Sequence, residues 1–243
     1  MDISSLKLFL QRRTEKMAAK AVVLLSGGLD SVTCLAVAKK ENFETHALCF
    51  DYGQRHRIEI SCARRSAAAL GVAKFHLISF DLRQWGASAL TSDQFEVPEF
   101  VEHHDKAPIT YVPARNMIFL SFGAALAESI GARDIFIGVN SIDYSGYPDC
   151  RPGFIDAFRH CANLGTKAVD EHWEYRIRTP LQYLRKREII ELGLSLGVDY
   201  SQTHSCYNPD PDGRPCGHCD SCGLRNQAFA ELGMKDPALE RKF

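Results

Sequence analysis

The sequence predicts an α/β fold: an open, mostly parallel sheet with helices on both faces, plus a small C-terminal zinc-binding segment. Three observations point there. Short apolar runs rich in β-branched residues alternate with helical periodicities long enough to be parallel crossovers. The first run ends in the turn Ser26-Gly27-Gly28-Leu29-Asp30-Ser31, and four cysteines, Cys206, Cys216, Cys219 and Cys222, crowd near the C-terminus.

Along the chain, Ala21 to Leu25 reads as a buried strand feeding a helix with Val32, Leu35 and Ala36 on one face. Thr45–Phe50 is a second strand, 55–70 a helix rich in alanine and arginine, and Lys74–Phe80 a third strand. Residues 92–106 are polar, acidic and non-periodic and read as a solvated loop; its adjacent His103 and His104 diverge along the backbone and make no metal pair. Met117 to Leu126 is apolar nearly all round, predicting a buried helix that Val112-Pro113-Ala114-Arg115-Asn116 opens. Asp134–Val139 is a strand, 154–166 a helix, Tyr175–Pro180 a late strand and 184–196 an amphipathic helix. The expected division is 1–19 as an extension of unknown role, 20–200 as the α/β domain and 201–243 as the zinc-binding segment packed on it.

Bulk properties narrow the function. The length of 243 residues suits one large domain, and 45% hydrophobic with 24% charged residues is ordinary for a soluble globular chain. A net charge of −1 gives no general attraction to nucleic acid or to an anionic membrane, so neither is expected as a partner. No apolar run reaches the roughly 18 residues a membrane span needs. Residues 1–19 lack a secretory h-region, and are either a short amphipathic arm or sequence upstream of a start at Met17. Nine cysteines, an odd number and clustered, argue against a disulfide framework and for a reducing compartment, here taken as cytoplasmic.

A strand that runs through a serine- and glycine-rich turn into a helix presents unpaired N–H groups and the positive end of a dipole, which suits phosphate or pyrophosphate. Gly27 and Gly28 allow close approach of an anion, Ser26 and Ser31 add hydroxyl donors, and Asp30 can hold a magnesium ion (Mg2+) sharing the phosphate charge. Neither G-x-x-x-x-G-K-[ST] nor a strand-linked G-x-G-x-x-G occurs. SGGLDS instead resembles the pyrophosphate loop of ATP-pyrophosphatases, which cleave ATP between its α and β phosphates.

The spacing Cys206-x9-Cys216-x2-Cys219-x2-Cys222 brings four thiolates to one ion and suits structural zinc (Zn2+), since a filled shell leaves no place for water. His204 or His218 replacing one cysteine, an iron–sulfur cluster and a redox pair are the alternatives.

In order along the chain, SGGLDS, DYGQRH (Asp51–His56), VPARN (Val112–Asn116), DYSGYPDCR (Asp143–Arg151) and Ser205-Cys206-Tyr207 with the cysteine tail resemble the 7-cyano-7-deazaguanine synthase family of the queuosine pathway. The likeness runs from about Lys20 to the C-terminus and says nothing of residues 1–19. It implies an adenine nucleotide alpha hydrolase-like fold and an ATP-dependent ligase that turns the carboxylate of 7-carboxy-7-deazaguanine into a nitrile with ammonia. It also implies bound zinc and a homodimer. In family terms the nucleotide contact extends from Leu25 through Val32, Thr33, Cys34 and Leu35.

Asp30, Ser31, Arg115 and Lys186 are the catalytic candidates, the two cations because developing phosphate charge favours fixed positive groups. Lys186 is equally readable as an exposed helix lysine. Arg55 and His56 either hold the substrate or cap the following helix. Asp143 and Asp149 can accept the paired N–H donors of a guanine-like base, with Tyr144 and Tyr147 stacking on it, or serve as Asx turns. An RNA-thiolating pyrophosphatase and a non-catalytic zinc-knuckle adaptor are the rival functions.

Overall fold

The computed structural model describes residues 18–101, 106–142 and 146–240. Among them five strands form one parallel sheet in the order β3-β2-β1-β4-β5, where β1 is Lys20–Leu24, β2 Glu44–Asp51, β3 Lys74–Ser79, β4 Asp134–Phe136 and β5 Arg176–Arg178. Helices α1 (Leu29–Lys40), α2 (Ile58–Ala69), α3 (Arg115–Ile130), α4 (Pro152–Leu164), α5 (Lys186–Ser195) and α6 (Asp220–Glu231) surround it.

Alternation along the central strand makes two cores. Val22 and Leu24 face α3 and α4 through Leu120, Ala124, Ile155 and Phe158. Ala21 and Val23 face the other way, toward α1, α2, α5 and α6 through Leu35, Ala63, Ile189 and Phe229. Residues buried on both faces read as a continuous apolar run, which is why β1 is legible at sight. After β1 the chain builds outward through β2 and β3, then returns to lay β4 and β5 on the other side of β1. Strand order therefore reverses between β1 and β4, and open α/β sheets bind ligands at the carboxyl ends beside such a reversal.

Three expectations need amendment. Helix α3 is not buried all round: Met117 is 48% and Phe122 37% exposed, while Leu120 and Ala127 on the opposite side are fully enclosed. The segment from 92 is irregular, but its described end does not simply float in solvent. Glu99 forms a bridge with Cys219, Phe100 donates its N–H to the His218 carbonyl, and its ring occupies the space a Cβ on Gly223 would need. Helix α6 was not anticipated, since cysteine, aspartate and glycine at its start obscure the periodicity. Residues 1–17, His103, His104, Asp143 and Tyr144 lie outside the described residues.

Candidate active site

The turn between β1 and α1 is held by its own side chains and by two close backbone approaches. Ser31 Oγ accepts the N–H groups of Ser26 and Gly27, each at 3.2 Å, and donates to the Gly28 carbonyl at 3.1 Å. Ser26 Oγ, 3.0 Å from Ser31 Oγ, accepts the Gly28 N–H. Gly27 has φ +91°, and a Cβ there would lie 2.3 Å from the Glu59 carbonyl oxygen, so the turn can rest on α2 only as glycine. On its other side Gly138, just past β4, would place a Cβ 3.0 Å from the backbone of Asp30. Gly28 caps α1 without a side-chain bond, and the first turn of α1 borders a cleft of about 1200 Å³ that includes its open mouth. Leu25, Ser26, Gly28, Leu29, Asp30 and Ser31 line this cleft, whereas Val32, Cys34 and Leu35 pack in the core behind it. Thr33 Oγ1 binds the Leu29 carbonyl and the Tyr200 hydroxyl, also behind the cleft.

Lys186, at the first position of α5, is buried and reaches back into the cleft. Its Nζ lies 2.8 Å from both carboxylate oxygens of Asp30. That placement removes the exposed-lysine alternative. Arg115 opens α3 on the far wall, with its guanidinium 6.0 Å above the Phe119 ring. Burial opposes its charge, yet Tyr52 and Asp149 outweigh that and hold its pKa above the ordinary value. Phe50 and Phe119 stack at 4.0 Å, and with Tyr52, Tyr147 and Tyr207 they give this half of the cleft an aromatic lining. The cleft is thus polar at the turn and aromatic opposite, the division a purine-like ring joined to phosphate requires.

His56 and Glu59 sit between the two halves, with His56 Nε2 3.5 Å from Glu59 Oε2 and Gln54 donating to Glu59 Oε1 at 3.2 Å. Burial pushes the Glu59 carboxyl up to about 8, although Arg115 and Gln54 pull it down. Burial, reinforced by His204 and Arg115, pushes His56 down to about 3. His204, from the segment before the cysteines, also borders the cleft; its N–H donates to the Gly27 carbonyl at 2.9 Å.

Two sequence candidates are employed elsewhere. Arg55 pairs with Asp93 at 3.0 Å and donates to the Ala89 and Phe95 carbonyls, so it pins an outer loop. Asp149 Oδ2 accepts the Asn116 N–H in the first turn of α3 at 3.0 Å, a long-range contact that is neither base recognition nor the local Asx turn considered for it. Glu59, Ser205 and Arg225 were missed as cleft residues. Ser205 stood inside a motif already singled out, but nothing local marks Glu59 or Arg225, which the fold alone brings there.

The four cysteine sulfurs lie within 4.8 Å of one another, with Cys216 and Cys222 at 4.0 Å. Tetrahedral zinc with bonds of about 2.3 Å places its sulfurs roughly 3.8 Å apart, so the cluster fits after slight contraction. Three backbone N–H groups already point at these sulfurs: Tyr207 to Cys219, and Asn208 and Cys216 to Cys206. Such donors stabilise thiolate charge. The four-thiolate set needs no histidine.

A turn shaped for phosphate oxygens at a sheet reversal places this chain among the nucleotide-binding α/β proteins of the pyrophosphate-loop class. The profile of the family described as "Queuosine biosynthesis protein QueC" matches residues 20–233, and the chain belongs to that family of enzymes. It is 59% identical over 223 residues to the 7-cyano-7-deazaguanine synthase of Syntrophotalea carbinolica, covering 91% of this chain and 96% of that protein. The corresponding synthase of Frankia casuarinae is 57% identical over 219 residues, covering 90% and 92%. Among solved structures, NMN synthetase from Francisella tularensis superimposes with TM-score 0.53 at 20% identity over 98% of this chain and 88% of its own, a likeness of fold alone. The chain is therefore an enzyme of queuosine biosynthesis, as its motifs led us to expect. No helix among the described residues is long and apolar enough to cross a membrane.

Proposed function

We propose that this enzyme converts 7-carboxy-7-deazaguanine and ammonia to 7-cyano-7-deazaguanine, cleaving ATP to AMP and pyrophosphate. The observation that carries the reading is the Lys186–Asp30 contact of 2.8 Å beside the serine-glycine turn: a cation, a carboxylate and a phosphate cradle meet at one point. A carboxylate resists nucleophiles because it is negatively charged and oxide is a poor leaving group. Its oxygen attacks the α-phosphorus of ATP, and pyrophosphate departs into the turn. Ammonia then adds to the acyl carbon, AMP leaves, and a lost proton completes the amide. Attack of the amide oxygen on the α-phosphorus of a second ATP expels a second pyrophosphate, and loss of both N–H protons and of AMP leaves the nitrile.

This chain's residues position and stabilise. The backbone of Leu25–Asp30 with the Ser26 and Ser31 hydroxyls holds pyrophosphate, and Lys186 and Arg115 offset charge developing on phosphorus. Asp30 would offer a carboxylate to magnesium, which commonly binds one or two of them alongside substrate phosphates and would there offset phosphate charge. The aromatic half receives the deazaguanine ring, with Tyr147 at its wall and Asp143 as the base-reading acid. His56 contributes an uncharged imidazole there. Zinc at Cys206, Cys216, Cys219 and Cys222 is structural and holds the 201–243 segment against the 20–200 domain. The half-exposed Met117 and Phe122 on α3 support a homodimer.

Mass spectrometry after incubation with ATP, magnesium, ammonium and the carboxylated deazaguanine tests the reading. Nitrile and AMP are expected, and neither from Asp30→Ala with fold and metal retained. Formation of ADP without AMP would overturn it.

A further inference from the structure

The C-terminal segment does more than cover the cleft: it inserts a hydroxyl into the phosphate turn. Ser205 Oγ accepts the N–H of Leu29, the first residue of α1, at 3.3 Å, and it accepts Arg225 Nη1 at 3.3 Å as well. A serine hydroxyl has two acceptor lone pairs and one proton to donate. Both lone pairs are taken, and among the described residues nothing accepts the proton. The side chain lines the cleft beside Gly28, whose absent Cβ would sit 3.7 Å from Ser205 Oγ. By contrast Ser31 Oγ gives its proton to the turn itself, to Gly28 or Ser26.

Arg225 is fixed from behind. It is 4% exposed, holds both carboxylate oxygens of Asp236 at 2.7 and 2.8 Å, and donates to Thr203 Oγ1 and the Tyr200 carbonyl. A second polar group in the same wall lacks a partner: His204, 2% exposed, has no hydrogen-bond partner for Nε2 among the described residues. Ser205 therefore presents to the cleft a hydroxyl proton that the turn does not use, and its oxygen is fixed from behind by a guanidinium that Asp236 holds in place.

We infer that Ser205 is a phosphate-binding residue, donating its hydroxyl proton to an oxygen of the departing pyrophosphate, and that Arg225 is the positioning residue that aims it. The cysteine cluster, beginning at the adjacent Cys206, would then set the phosphate grip as well as the fold of the segment. This rests on the reading of the turn as the pyrophosphate site.

The test compares the wild-type protein with Ser205→Ala and Ser205→Thr, titrating each by calorimetry with magnesium pyrophosphate and separately with AMP, after metal content and melting temperature are measured. Losing a hydrogen bond to a charged group should weaken pyrophosphate binding in Ser205→Ala by about tenfold while AMP affinity stays unchanged. Ser205→Thr keeps the hydroxyl and should restore binding to within about threefold. A serine that merely caps α1 would lower the melting temperature and leave pyrophosphate affinity alone, and that result overturns the inference. So does an equal loss for AMP. Hydrogen exchange on the wild type covers the case in which the alanine variant does not fold: pyrophosphate should slow exchange at 203–207 together with 25–31, and protection confined to 25–31 refutes the role. If the wild type yields AMP and binds pyrophosphate yet Ser205→Ala matches it, this inference alone fails; if the wild type does neither, the proposed reaction fails with it.

Discussion

Replacing Lys186 with methionine separates a catalytic cation from a structural one. The ammonium lies 2.8 Å from Asp30, with side-chain exposures of 7% for the lysine and 23% for the aspartate. Exposed ion pairs contribute about 0–1 kcal/mol, and orphaning one partner of a fully buried pair costs about 3–5 kcal/mol. Asp30 faces a cleft that water can enter, so its unpaired carboxylate is largely rehydrated and the expected cost is about 1–2 kcal/mol. For a chain of this size that lowers the melting temperature by roughly 2–8 °C and leaves the protein folded at 25 °C. Activity should fall much further. Removing one preorganised group aimed at developing charge costs about 10²–10³ in rate, or roughly 3–4 kcal/mol. Release of labelled AMP from α-labelled ATP, read alongside the melting curve of the same preparation, measures both. A folded Lys186→Met variant making AMP within about threefold of wild type would refute the assignment.

Three other perturbations have defined outcomes. Gly138→Ala puts a methyl 3.0 Å from the Asp30 backbone and 3.1 Å from Ser31 N, atoms that cannot rotate aside, so about 1–3 kcal/mol of stability should be lost and KM for ATP should rise; an unchanged KM counts against the close approach. Glu59, whose carboxyl is pushed up to about 8 from 4.5, binds more protons folded than unfolded between those values, so its contribution to stability falls as pH rises through that window. From pH 6.5 to 8 the loss should approach about 2 kcal/mol by denaturant titration, and Glu59→Gln should flatten it; an equal slope in the variant would show that another group titrates. Cys219→Ser should abolish metal binding and speed exchange across 203–222, whereas the wild type should carry one zinc per chain by elemental analysis; iron in its place would overturn the zinc reading.

How far the sequence reaches depends on whether a feature is local. The strand–turn–helix at 20–40 is legible locally, because β1 is buried on both faces and the Ser26 and Ser31 hydroxyls bond within their own loop, although Glu59, Gly138 and His204 press on that loop from afar. The cysteines carry their own spacing. Lys186 was undecidable because nothing in 184–196 shows which end of α5 meets the cleft; only the return of the chain beside α1 settles it. Asp149 and Arg55 look functional as isolated polar residues in glycine-rich or helix-opening segments, yet each answers a backbone demand distant in sequence. The Asn116 N–H needs an acceptor, and the 89–95 loop needs a donor. Gly138 is invisible as a requirement until Asp30 is known to lie against it. Apolar content misled at α3, where Met117 is half exposed and Phe122, though stacked on Phe80, remains partly exposed.

The position of the cysteine cluster follows from the same topology. A reversal of strand order opens a crevice between β1 and β4, but leaves the rim above it without a helix to cover it. The chain covers that rim with 203–219, a stretch of short turns and proline, glycine and aspartate whose apolar burial is slight beyond the cysteines themselves. Such a stretch cannot recover its conformational entropy by hydrophobic packing. On the zinc reading proposed above, four sulfurs drawn to one ion would supply the missing energy, since metal binding in small thiolate modules is worth about 10–16 kcal/mol. The ordered segment then has fixed ends: His204 N–H on the Gly27 carbonyl at the turn, and Val101 N–H on Asp220 at the outer loop. A rim held by metal rather than by a core can be made of polar residues, and polar residues are what a cleft that handles phosphate must present.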